Sequence, residues 1–92
     1  MSIRWLFDVI EDRKQNPSEK SYTASLFREG LPKIAQKVGE EGTEVVVAAL
    51  AQDDQRLIEE VADLTYHTLV LLSARNINPA QIFAELEKRH RN

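Results

Sequence analysis

The chain contains no cysteine. Disulfides and thiolate metal sites are therefore excluded, and the composition fits a reducing compartment. Glycine and proline occur only three times each, so each one punctuates the chain and none belongs to a low-complexity tract. No apolar run reaches the roughly 18 residues needed to span a bilayer, and no membrane partner is expected. The opening stretch, MSIRWLFDVIEDRKQN, sets acidic residues directly after its apolar ones and does not resemble a signal peptide. A cytoplasmic protein is expected. Positive charge is also in short supply, with 12 Lys and Arg against 15 Asp and Glu, for a net charge of -3. There is no basic stripe, so a nucleic-acid partner is not expected. Ninety-two residues make one domain, residues 1–92. A chain this short is marginally stable by itself, and helical chains of this size often complete their core by oligomerising.

What is present is helical periodicity. Ile3, Leu6, Phe7 and Ile10 recur at helical spacing and predict a first helix over about 2–14. The polar stretch QNPSEKS, with Pro17, is a loop. SYTASLFREG reads as a short helix or turn that Gly30 stops, and Pro32 opens the next helix, which runs to about residue 51. Asp53 or Asp54 caps a long helix over about 54–75, apolar on nearly all sides between Val61 and Leu72 and so expected to be central. Asn78, Pro79 and Gln81 form a capping box and start a last helix to about 90, with Ile82, Phe83 and Leu86 on one side. No segment alternates as a strand. The expectation is an all-α antiparallel bundle of four to five helices, completed by dimerisation.

Acidic residues crowd two of these helices. At about 100° per residue, with Lys37 at zero, Lys33, Glu40, Glu41 and Glu44 all fall within an arc of roughly 100°. Ile34, Val38, Val45 and Ala49 occupy the adjacent arc, which makes the acidic face border the core face. On the following helix Glu60, Asp63 and His67 share one side, and Asp63 and His67 interrupt an apolar segment where a charge is costly unless paired or metal-bound. A short connection makes the two helices antiparallel neighbours, so Glu41 and Glu44 can face Glu60 and Asp63. Four carboxylates around one gap suit a hard cation, Mg²⁺ or Mn²⁺, which shares its shell with substrate phosphates. Lys37 and Lys33 stand one and two turns earlier, placed to hold the remaining phosphate charge. The plainer alternative is that each acidic turn is a solvated face, that the lysines only pair with nearby glutamates, and that His67 is a satisfied core histidine.

EEGTE followed by EVAD resembles the E-E-x-x-E … E-x-x-D signature of the all-α nucleoside-triphosphate pyrophosphatase superfamily. Within it, SYTASLF, GLPKIAQKVGEEGTEVVVAA and EEVADLTYHTLVLL closely resemble the phosphoribosyl-ATP pyrophosphatase family, over roughly residues 3–90. The resemblance implies Mg²⁺-dependent hydrolysis of the α–β phosphoanhydride of phosphoribosyl-ATP to phosphoribosyl-AMP and pyrophosphate, the second step of histidine biosynthesis. It implies metal ligation by Glu41, Glu44, Glu60 and Asp63, with Glu40, Glu41 and Glu44 catalytic. It puts Lys33, Lys37, Ser21, Tyr22, Thr23 and His67 near the substrate, in a homodimer. Gly42 departs from the family pattern, which more often has alanine there. Two other readings stand beside this one: a house-cleaning hydrolase of other nucleoside triphosphates, and a non-enzymatic helical interaction module.

Overall fold

The structure, a computed structural model, describes residues 1–91. Five helices follow one another: α1 Ile3–Gln15, α2 Tyr22–Glu29, α3 Leu31–Ala51, α4 Asp54–Ala74 and α5 Pro79–Arg89. The described residues form no strand, and the all-α expectation holds.

Local chemistry fixes each boundary. Ser2 and Ser21 cap α1 and α2 by accepting the backbone N–H of Trp5 and Ala24. Gly30 separates α2 from α3 at φ 93°, a left-handed conformation that lets the chain turn with no intervening loop. Asp53 caps α4 by accepting the Arg56 N–H, so the connection from α3 is only Gln52 and Asp53. A connection this short folds α4 back along α3 as a hairpin. Asn78 and Gln81 make the expected capping box of α5.

The core gathers at one end of that hairpin. Phe7 and Ile10 of α1, Leu26 of α2, Ile34 of α3, and Leu69 and Val70 of α4 form one buried cluster. Below it, Ser73 is fully buried; its hydroxyl donates to Glu11 at 2.7 Å and its carbonyl accepts from Lys14 at 2.8 Å. Lys14 also pairs with Glu11 at 2.9 Å, which ties α1 to the end of α4. Burial of the Glu11 carboxyl favours its neutral form, but the bonds from Lys14 and Ser73 outweigh this and hold its pKa below the ordinary 4.5.

The other half of the hairpin is bare. Val46, Val47 and Leu50 on α3, and Ile58 and Val61 on α4, are exposed, with Leu50 at 83%. Two expectations shift here. The α3 core arc contains Ala48 and leaves Ala49 exposed, and α4 is buried mainly beyond His67, with Val61 open to solvent. The physical reason is that α1 and α2 are too short to cover more than half of two 21-residue helices. Ile82, Phe83 and Leu86 of α5 are also exposed. The accessible surface is 6487 Å², against about 5,400 Å² for a compact chain of 10.5 kDa. The radius of gyration, 14.4 Å, likewise exceeds the roughly 12 Å of a compact chain this long.

Candidate active site

The carboxylates lie midway along the hairpin, where the packed half gives way to the bare half. Glu41 from α3, and Glu60 and Asp63 from α4, each offer an oxygen within 4.8 Å of the others. Helical spacing explains the pairing on α4, where residues three apart share a face; the tight Gln52–Asp53 turn brings Glu41 opposite. Glu60 is only 7% exposed, Glu41 is half-buried and Asp63 is exposed. At such separations two like charges repel by on the order of 1–3 kcal/mol, from water-like to near-surface dielectric. Cations must offset that.

Two cations do so, one at each end. Lys37, one turn before Glu41, sits 3.5 Å from Glu41 and 3.7 Å from Glu40. Burial works against its ammonium, but Tyr22, Glu41 and Glu40 together outweigh it and hold Lys37 above the ordinary 10.5. Arg56, one turn before Glu60, donates from Nη2 to the Glu60 carboxylate at 2.7 Å and from Nη1 to Glu59. Because α3 and α4 run antiparallel, the lysine and the arginine flank the carboxylates from opposite directions.

The Lys37 end carries an aromatic group. His67 Nδ1 lies 2.8 Å from the Asp63 carbonyl oxygen. A carbonyl can only accept, so Nδ1 carries the hydrogen. In the neutral ring Nε2 is then an acceptor, and the Tyr22 hydroxyl donates to it at 3.3 Å. Tyr66 packs edge-on to His67 with ring centres 4.9 Å apart, and its hydroxyl is hydrogen-bonded to Thr23. Burial pushes the Tyr66 phenol up. These bonds pin the start of α2 to α4 beside the carboxylates. Ser21 spends its acceptor on the α2 cap.

Of the residues singled out from sequence, the fold thus gathers Glu41, Glu60 and Asp63 tightly, with Lys37 and Glu40 beside them. Tyr22, Thr23 and His67 form one linked group next to Lys37. Glu44 is exposed and stands outside the three-carboxylate group. Lys33 is half-buried one turn before Lys37. Sequence reasoning passed over Arg56 and Tyr66. Arg56 precedes Glu60 by four residues, a spacing that marks an i,i+4 pair. Tyr66 carries no such signal, since nothing local pairs it with Thr23.

An all-oxygen donor set of three convergent carboxylates, one of them buried, fits a divalent cation of the Mg²⁺ type. The family model described as phosphoribosyl-ATP pyrophosphohydrolase matches residues 3–90. A phosphoribosyl-ATP pyrophosphatase of Clostridium botulinum (strain Hall) is 54% identical over 84 residues, 91% of this chain and 76% of the relative. That of Lacticaseibacillus casei is 56% identical over 88 residues, 96% and 80% of the two chains. That of Sulfolobus acidocaldarius is 46% identical over 84 residues, 91% and 88%. A match that runs through every helix and every residue of the carboxylate cluster leaves one assignment: the chain belongs to the phosphoribosyl-ATP pyrophosphohydrolase family.

Proposed function

We propose that this chain hydrolyses the α–β phosphoanhydride of phosphoribosyl-ATP to phosphoribosyl-AMP and pyrophosphate, in histidine biosynthesis. The observation that carries the reading is the convergence of Glu41, Glu60 and Asp63 between two flanking cations, in a chain of this family. Bare carboxylates would repel a triphosphate. Glu41, Glu60 and Asp63 would therefore hold Mg²⁺, or Mn²⁺, with Glu44 joining from the next turn of α3. When bound, such an ion supplies neutralising charge to the phosphate oxygens and polarises an attacking water.

The remaining work belongs to the chain. Lys37, and Lys33 one turn before it, take phosphate oxygens as point cations. Glu40, next to Glu41 on α3, is the carboxylate that orients the attacking water and accepts its proton. The Tyr22–His67–Asp63 chain of hydrogen bonds fixes α2 against α4, so that Ser21, Tyr22 and Thr23 wall the Lys37 end where the nucleotide enters. Removing water from that wall strengthens every charge interaction inside it.

A second copy of the chain completes the fold. The surface excess over a compact chain is about 1,000 Å², comparable to the roughly 800 Å² each partner buries in a standard interface. Val46, Val47, Leu50, Ile58 and Val61 supply its apolar centre. No helix among the described residues is long and apolar enough to cross a membrane, and the substrate is a cytoplasmic metabolite in this reading.

The deciding assay incubates the protein with phosphoribosyl-ATP, ATP and deoxynucleoside triphosphates under Mg²⁺ and measures pyrophosphate. Cleavage of phosphoribosyl-ATP well above the others is the expected result. Cleavage of deoxynucleotides alone would make this a house-cleaning hydrolase, and no cleavage at all would make it an interaction module.

A further inference from the structure

We infer that Arg56 is a further substrate-tail residue. It holds Glu60 while the carboxylate trio carries no divalent cation, and moves to a phosphate oxygen once the trio does. The inference rests on the proposed cation site at Glu41, Glu60 and Asp63.

The geometry supplies the argument. Arg56 Nη2 lies 2.7 Å from Glu60 Oε1, and Glu60 is the buried member of the trio. A guanidinium at that distance occupies a lone pair of the carboxylate and adds a positive charge beside it. A divalent cation arriving at the same carboxylates is repelled by that charge and competes for that oxygen. The two cations are therefore alternatives on Glu60. The Arg56 side chain is 47% exposed, free to swing, yet it is not lost when Glu60 is taken. Glu59, itself largely exposed, holds the other guanidinium nitrogen and keeps Arg56 at the rim of the site. A guanidinium has five N–H donors in a planar fork that matches phosphate oxygens, so several remain to meet a phosphate.

Position says which part of the substrate it meets. Lys37 lies at the Tyr22 and His67 end and Arg56 at the opposite end, toward the α3–α4 turn. A phosphate chain laid along the carboxylates has the nucleoside among the aromatic rings and its far phosphates at Arg56. Those phosphates leave as pyrophosphate, and a cation on them offsets the charge that develops.

Arg56 has an alternative role of opposite sign. If it merely positioned Glu60 for the cation, removing it would weaken cation binding. The experiment titrates Mn²⁺ calorimetrically into substrate-free wild type, Arg56→Gln, Arg56→Lys and Asp63→Asn, and measures kcat and KM for phosphoribosyl-ATP at saturating Mg²⁺. Expected for Arg56→Gln are Mn²⁺ binding tightened by about tenfold, equal to about 1.4 kcal/mol, and a KM raised by a similar factor. Arg56→Lys, which keeps the charge, stays near wild type in Mn²⁺ affinity. Unchanged or weaker Mn²⁺ binding in Arg56→Gln overturns the exchange, and an unchanged KM overturns the phosphate contact. If wild type takes up no Mn²⁺, or Asp63→Asn binds it as wild type does, the carboxylate site itself has failed and the Arg56 inference falls with it.

Discussion

Val46→Glu tests whether the bare half of the hairpin is covered by a second copy. Val46 is 56% exposed in the single chain, so the new carboxylate meets water there. Glutamate is a better helix former than valine by a few tenths of a kcal/mol, and the isolated chain loses no stability. In a symmetric dimer the same substitution appears twice in one self-complementary interface. Burying an unpartnered polar group costs about 1–3 kcal/mol in proteins. Two copies at roughly 2 kcal/mol each, a floor for a carboxylate, weaken the dimer by about 4 kcal/mol and raise Kd by a factor of about 1,000. Sedimentation velocity over about 1–100 μM follows the change directly, since association depends on concentration. Wild type should sediment as a dimer and the variant as a monomer, with unchanged helical circular dichroism. Wild type sedimenting as a monomer throughout would refute the surface-excess argument. An intact dimer in the variant would move the interface away from Val46.

Three further outcomes follow from the site and the core. Chelation with EDTA should abolish pyrophosphate release, and excess Mg²⁺ should restore it; activity that survives chelation would remove the role given to Glu41, Glu60 and Asp63. Tyr22→Phe deletes the hydrogen bond to His67 and should cost about 1 kcal/mol in urea denaturation, with KM for phosphoribosyl-ATP raised more than kcat is lowered; equal KM values would take Tyr22 out of the nucleotide wall. Glu11 has a depressed pKa in the folded chain, so its contribution is complete above its unfolded value of 4.5 and disappears as pH falls through the folded value. Thermal melting of wild type should therefore fall more steeply below about pH 4.5 than that of Glu11→Gln, and parallel curves would show that the Lys14 and Ser73 bonds do not depress it.

The helices were legible because their ends are written in short-range chemistry. Asp53 and Asn78 cap from one position, Gly30 permits one turn, and Pro32 and Pro79 fit only a first turn. Each acts over three or four residues, the range a linear reading can see. The pairing of EEGTE with EVAD was legible for the same reason, since a two-residue connection leaves an antiparallel hairpin as the only arrangement. What escaped depends on distance. The helical spacing puts Ala49 in the core arc and the structure buries Ala48 instead, because Ala48 shares the Lys37 and Glu41 side of α3, the side that faces α4. The exposure of Val46, Leu50, Ile58 and Val61 could not be read either, because an apolar side chain carries the same signature whether its own chain or another covers it. Tyr66 was missed since its partner Thr23 is 43 residues away, and Arg56 because an exposed arginine one turn from a glutamate is commonplace.

These gaps share a cause that bears on why the site lies where it does. Carboxylates this close cannot all be ionised inside a finished core without a counter-charge of matching size. They also cannot be wholly in water, where a divalent ion and a phosphate tail would be weakly held. The junction between the packed and bare halves of the hairpin satisfies both demands. Glu60 is buried, Glu41 is half-buried and Asp63 is open, so the three carboxylates meet different degrees of solvation within a single helical turn. Lys37 stands on the packed side beside Tyr22, and Arg56 on the open side, where it can move. Covering the bare half with a second copy would lower the dielectric around Glu60 and Arg56 further. That would strengthen the hold on a doubly charged cation more than the competition from the singly charged Arg56, so the affinity of the site for Mn²⁺ and the association of the chain should be linked. Mn²⁺ binding in Val46→Glu should then be weaker than in wild type although Val46 is no part of the carboxylate group, and equal affinities would show that each chain builds its site alone.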